Sequence, residues 1–378
     1  MKALKWIAAL VVLALVIWAI AGGDDQADVV TPEGPIKVGF IGPLTGDAAA
    51  YGEPFQKAVE LAVSEINEAG GVLGQPLEFI YEDGACAGAD AANAAQKLIN
   101  VDGVQLILGG FCSSESLSAE PMATAAGVLM VSPGSSSPDL TGISDYFART
   151  YPSDALQGEI LADIAANDKE WTKVAVIQEQ TDYAQGLYEA FDGAFTALGG
   201  ETVREEFATQ QTDVRTLVTK LKAEEPDAVL ISVQTPASAE RVLTQMADQQ
   251  WSPALIVADA LAGDDATVAQ YGEQLEGALA AQFGLEDNDK LDAFSAVYEA
   301  AYGEVPPFKS YTTIAYDTVY LLAEGIEEVG YNADALSEWI RGVKNWDAAS
   351  GSITVEDNGD RSSGHIPQRI EGGAIVAY

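Results

Sequence analysis

At 378 residues, with 48% apolar residues and both signs of charge, the chain exceeds one ordinary hydrophobic core and reads as a globular protein of two domains or lobes. Its 58 acidic against 19 basic side chains, a formal net charge of -39, exclude nucleic acid as a partner, because a phosphate backbone demands a basic stripe. The acidity reads instead as a solubilising surface.

Lys2 and Lys5 precede an uncharged apolar run over 6–21, and Gly22, Gly23, Asp24 and Asp25 follow it. A positive flank, an apolar stretch and an acidic exit describe an export signal, so residues 1–21 read as a signal peptide or a membrane anchor. Ala19, Ile20 and Ala21 offer a small-x-small cleavage site, and no cysteine stands nearby to carry a lipid. Residues 22–35, rich in Asp, Gly, Pro and Thr, read as a linker. The folded part is therefore expected outside the cytoplasm. There the cysteine pair, Cys86 and Cys112, reads as a disulfide more readily than as a metal site. His365 is the sole histidine, in a Gly and Ser turn, which leaves too few ligands for a Cys/His zinc set.

From Ile36 onward, short apolar runs alternate with amphipathic stretches, the pattern of α/β units. Strands are predicted over 36–41, 77–81, 105–108 and 127–131. The helices between them are predicted over 55–66, 89–100 and 116–126. A second copy of the rhythm starts at Lys173, with strands over 173–177, 201–207, 228–233 and 255–258 and helices over 186–198, 214–223 and 238–249. Further helices are predicted over 291–301 and 313–329, then β structure over 353–355 and 366–376. Two like α/β lobes in tandem place a cleft between them, faced by the loops that follow the strand C-termini.

Those loops carry the candidate chemistry. Cys112-Ser113-Ser114-Glu115 stands after a strand and opens a helix, whose free amides suit an anion such as an α-carboxylate or are simply N-capped by a serine. Ser135 and Ser136, beside Gly134, lie in another strand-end loop, and Asp259 supplies a negative charge at the matching point of the second repeat. Tyr51 and Tyr183 each follow the first strand of their repeat and suit the walls of a cleft. The expected site thus has a polar end at Ser113, Ser135, Ser136 and Asp259 and an aromatic end at Tyr51 and Tyr183. Catalytic signatures are missing: there is no G-x-S-x-G elbow, Walker loop, G-x-G-x-x-G or H-E-x-x-H. A Ser/Lys hydrolase is the residual enzymatic reading, and no enzyme, cofactor or metal is expected.

Ile41-Gly42-Pro43-Leu44-Thr45-Gly46 with Tyr51-Gly52, Glu65-Ile66-Asn67-Glu68-Ala69-Gly70-Gly71, Glu82-Asp83-Gly84-Ala85-Cys86 and Phe111-Cys112-Ser113-Ser114 form a set with 132–138, 182–186 and Ala315-Tyr316-Asp317. Together they resemble the periplasmic leucine/isoleucine/valine-binding proteins of branched-chain amino acid ABC transporters, over nearly the whole chain after the leader. The resemblance implies a type I periplasmic binding protein fold, with two Rossmann-like lobes, a central ligand cleft, three hinge crossovers and a Cys86–Cys112 disulfide. It implies lobe 1 over 36–152 and 284–362, and lobe 2 over 153–283 and 363–378. It implies that Tyr51, Ser113, Gly134, Ser135, Ser136, Tyr183 and Asp259 bind the ligand, with Asp259 standing where the family uses Glu to hold the ligand ammonium. Two positions of the side-chain pocket depart from the family: Gln234 stands where a tyrosine is expected, and the pocket phenylalanine is either Phe308 or replaced by Lys309. The implied function is a monomeric solute-binding component that delivers an amino acid, branched-chain or otherwise apolar, to a membrane permease. The alternative is a sensor of the same fold for an amide, urea-like or aromatic-acid ligand.

Overall fold

The computed structural model describes residues 34–362 and 364–378, so the expected leader and nearly all of the linker lie outside the described residues. Runs of β-branched and aliphatic residues bounded by turns make the interior strands, because such side chains fill both faces of a covered sheet. β1 (Ile36–Gly42), β3 (Leu106–Gly109) and β4 (Leu129–Ser132) are almost wholly buried, while β2 (Leu77–Asp83) and β5 (Phe147–Arg149) flank them. They form one parallel sheet in the order β2-β1-β3-β4-β5. The chain then crosses through 150–153 into a helix, Asp154–Asp163, that packs on Asp182–Ala197 in the second lobe.

There β6 (Lys173–Glu179), β7 (Glu201–Phe207), β8 (Ala228–Ser232), β9 (Ala254–Val257) and β10 (Leu279–Phe283) pair in parallel in the order β7-β6-β8-β9-β10. This is the first sheet's order again, so the repeat visible in the sequence is a repeat of topology. The exposed edge strand β7 carries Glu201, Arg204, Glu205 and Glu206, charges that discourage pairing with another chain. After β10 the chain returns to lobe 1 as helices Asp289–Tyr302, Lys309–Val329 and Ala333–Arg341 and a hairpin of β11 (Trp346–Ala348) and β12 (Gly351–Ile353). It crosses a third time to add β13 (His365–Glu371), antiparallel to β10, and β14 (Ala374–Ala377) at the sheet edge. The three crossovers are those the resemblance implies.

The lobe 1 core joins the first sheet to the returning helices. Phe55, Val59, Ala62 and Ile66 of the helix Ala49–Glu68 pack with Ile314, Val319, Leu322 and Ile326 of Lys309–Val329. The latter helix begins four residues before its predicted start, which brings Tyr311 into the cleft region. Among the described residues no helix is long and apolar enough to cross a membrane.

Cys86 and Cys112 form a disulfide with their Cα atoms 5.3 Å apart. It ties the turn after β2 to the N-terminus of the helix Ser113–Ala126, whose N-cap is Cys112 itself. The buried Glu115 carboxylate reinforces the junction by accepting the N–H groups of Cys86 (2.9 Å), Phe111 (2.8 Å) and Cys112 (2.9 Å). Closing a segment with a sequence separation of 26 is worth about 3 kcal/mol by loop entropy. The double variant Cys86→Ser/Cys112→Ser is therefore expected to lose about 3 kcal/mol of unfolding free energy in urea denaturation. An unchanged transition would show that the Glu115 bonds alone fix this junction.

Candidate functional site

Loops from both sheets meet between the lobes, and a buried carboxylate organises them. Asp259 opens a short helix, Asp259–Ala262, directly after β9. Its Oδ2 accepts the hydroxyls of Tyr151 (2.8 Å) and Tyr311 (2.5 Å), and its Oδ1 accepts that of Tyr183. Tyr151 comes from the first crossover, Tyr311 from a lobe 1 helix and Tyr183 from the helix after β6 in lobe 2. The Tyr151 and Tyr311 rings stack, with centroids 4.5 Å apart. Burial, followed by the charge of Asp259, pushes all three phenols well above their ordinary value, so they remain donors.

Tyr51 spans the cleft from the other side. Its hydroxyl donates to the carbonyls of Ala260 (3.1 Å) and Gln234 (3.4 Å) in lobe 2, while its ring lies among lobe 1 aromatics, 4.4 Å from Phe308 and 5.6 Å from Phe111. The Phe111 ring lies tilted against Phe55 with centroids 4.0 Å apart and meets Tyr311 edge-on at 5.6 Å. The loop over Phe111 must be bare: a Cβ on Gly134 would sit 2.1 Å from the Phe111 ring. These groups enclose a cavity of about 20 Å³, room for about one water molecule. The lobes are thus in a closed arrangement, and a larger molecule enters only when they part.

The sequence-predicted residues divide by position. Tyr51, Ser113, Gly134, Ser136, Tyr183 and Gln234 line the cavity, together with Phe111, Ala260 and Tyr311. Ser113 is the first helical residue rather than the N-cap, and its Oγ accepts the Ser137 N–H at 3.1 Å. Ser135 turns away: its Oγ contacts Ser116 Oγ (2.7 Å) and donates to the carbonyls of Gly110 (2.9 Å) and Phe111 (3.1 Å). Asp259 sits behind the tyrosines whose hydroxyls it accepts, and Phe308 packs behind Tyr51. Tyr183 lines the cavity as Tyr51 does, and its hydroxyl, like that of Tyr311, joins the Asp259 cluster. The aromatic wall is made by Tyr51, Phe111, Tyr183 and Tyr311.

Gln234 is positioned by Glu179, at the end of β6, which accepts the Gln234 N–H at 2.8 Å and the Ser238 hydroxyl at 3.0 Å. The Gln234 side-chain carbonyl is buried without a protein partner. Beneath the cavity, Asp154 accepts the Ser136 hydroxyl at 2.7 Å. Burial, then the neighbouring charge of Asp259, pushes the Asp154 carboxyl well above the ordinary range. His365, set aside in the sequence as a turn residue, is the first residue of β13 and lies buried beside Asp154 and Asp259, because it pairs with Phe283 of β10. Burial holds its imidazole down to about 4, hence neutral at physiological pH.

Sequence reasoning missed Tyr151 and Tyr311. Each lies at a crossover or at a helix start that the apolar periodicity does not mark, and their only signal was the tyrosine itself, in Arg149-Thr150-Tyr151-Pro152 and Lys309-Ser310-Tyr311.

Comparison with known proteins gives this geometry a family. Residues 35–368 match the family described as periplasmic binding protein. An amino acid binding protein of Pseudomonas aeruginosa is 29% identical over 360 residues, which cover 92% of this chain and 93% of that one. The crystal structure of a leucine binding protein from Thermotoga maritima is 26% identical with a TM-score of 0.82, covering 90% of this chain and 97% of that chain. That of the branched-chain amino acid transporter substrate binding protein from Streptococcus pneumoniae, in complex with isoleucine, is 26% identical with a TM-score of 0.80, covering 91% and 98%. With the repeated sheet order, the three crossovers and the cleft loops in place, the match over most of its length makes this chain a member of the periplasmic binding protein family.

Proposed function

We propose that this chain is the extracytoplasmic solute-binding component of an ABC transporter, that it captures an apolar α-amino acid in the interlobe cleft, and that it works by binding and closure without turnover. The observation that carries this reading is an aromatic-walled cavity between the lobes. On its lobe 1 side stand Ser113 and the amide end of the helix Ser113–Ala126; on its lobe 2 side, behind the tyrosines, stands the Asp259 carboxylate. A helix N-terminus favours the ligand carboxylate, and the buried acid favours its ammonium. The rings of Phe111, Tyr51 and Tyr311 offer apolar surface to the side chain, and the unpaired Gln234 carbonyl offers an acceptor for one more ligand N–H or O–H. The isoleucine-bound and leucine-binding relatives support the amino-acid class. The closed form, once populated by the ligand, is what the permease would recognise.

The reading is tested by thermal unfolding with each proteinogenic amino acid. A ligand at 100 times its dissociation constant adds about 2.7 kcal/mol of stability, and branched-chain residues are expected to give the largest shifts. A panel without a shift refutes the amino-acid class. Asp259→Asn leaves a phenol facing an amide N–H and weakens the ammonium partner, so calorimetry should show affinity reduced by about 2 kcal/mol, roughly 30-fold. Unchanged affinity removes Asp259 from the site.

Closure itself is probed at Gly186. A Cβ there would lie 2.8 Å from both Pro138 Cδ and Ser137 Oγ across the cleft. Gly186→Leu should prop the lobes apart, lowering affinity at least about 10-fold and enlarging the radius of gyration in solution scattering with ligand present. Wild-type affinity in this variant would show that binding does not need the closed contact.

A further inference from the structure

The chain's only imidazole is completely enclosed: the His365 side chain has 0% exposure, and neither ring nitrogen has a hydrogen-bond partner. It faces Asp154, also 0% exposed, whose Oδ1 is likewise without a partner. The two atoms, His365 Nε2 and Asp154 Oδ1, are 4.0 Å apart. That is too far for a hydrogen bond, and it is about half an ångström more than the roughly 3.3–3.6 Å that separates two ligand atoms of a tetrahedral ion held at about 2.0–2.2 Å, so a small inward shift would seat one. Asp259 completes a triad in which one ligand atom from each residue lies within 4.8 Å of the others.

The supporting bonds leave acceptor capacity on both carboxylates. Ser136 holds Asp154 Oδ2 at 2.7 Å and leaves Oδ1 free. On Asp259 two phenols occupy Oδ2 and one occupies Oδ1, so Oδ1 keeps an acceptor direction. Outer hydrogen bonds of this kind are how protein sites aim carboxylate ligands. Charge points the same way. Arg149, which bonds the Ser135 and Ser137 carbonyls nearby, already pairs with Asp360 at 2.6 Å, and among the described residues no guanidinium or ammonium group bonds either carboxylate.

We propose that Asp154, Asp259 and His365 bind a divalent transition-metal cation of the zinc class at the root of lobe 2, where the first and third crossovers enter it. One imidazole and two carboxylates suit zinc or manganese better than calcium or magnesium, which prefer oxygen alone. Asp154 opens the first helix after the first crossover and His365 opens β13 after the third, so the ion would cross-link two hinge strands to the floor of the cleft.

The test uses the untagged chain, freed of metal by chelation and titrated with zinc, manganese and magnesium ions. One equivalent of zinc is expected to bind and to raise the unfolding midpoint by at least about 3 °C, with magnesium ineffective. His365→Gln should weaken zinc binding at least about 10-fold while keeping the amino-acid-induced shift, which separates this proposal from the ligand reading, and Asp154→Asn should weaken zinc binding by a similar factor. With a single histidine, the ring resonances in NMR are assigned by inspection, and they should move and saturate at one equivalent. Zinc shifts equal in wild type and both variants would assign the ion to surface carboxylates and overturn the proposal. Ring resonances unmoved by zinc would overturn it even if neither variant folds.

Discussion

One carboxylate accepting three phenols is the constraint on which the cleft depends. Asp259 is reached by Tyr151 from a crossover, Tyr311 from lobe 1 and Tyr183 from its own lobe. A buried charge tolerates such isolation only when hydrogen-bond donors surround it, and here the donors come from segments that are far apart in sequence. Satisfying Asp259 therefore requires the lobes to be near one another. Tyr51 adds the reciprocal link from lobe 1 to the carbonyls after β8 and β9. Closure and polar satisfaction are thus one event.

Rigidity behind the network comes from lobe 1. The disulfide and Glu115 lock the Phe111–Ser113 segment to the turn after β2, while Gly134 lets the serine loop lie against the Phe111 ring. The hydroxyls of Ser132 and Ser135 both donate to the Gly110 carbonyl, at 2.7 and 2.9 Å. Loops that must face a ligand with fixed geometry are held by bonds running away from it, which is how a site built on loops acquires precision.

The fold was largely legible because its signals are periodic. Buried strands such as 36–41 and 173–177 and their amphipathic helices repeat in order, and the shared sheet order follows from that repeat. β5 escaped because three residues, Phe147–Arg149, carry no period, and β10 because its small residues do not stand out as a strand. Among cleft residues, those beside glycines and strand ends, such as Tyr51, Ser113 and Tyr183, could be named from sequence. Tyr151, Tyr311 and His365 could not, since their importance arises from crossovers that bring distant segments to Asp259. Ser135 shows the converse: its place in the right loop said nothing about which way its hydroxyl turns.

The burial of His365 has a consequence for the outside of the molecule. Histidine is the one side chain whose unperturbed titration falls between pH 5 and 8, and here the single copy is withdrawn from the surface. The acidic exterior therefore has no imidazole with which to answer a mild change of acidity. Repulsion between copies, and between this protein and anionic lipid, is set by ionic strength instead, over a range of about 8 Å at physiological salt. Salinity, more than proton concentration, thus sets how far this surface reaches toward any charged neighbour.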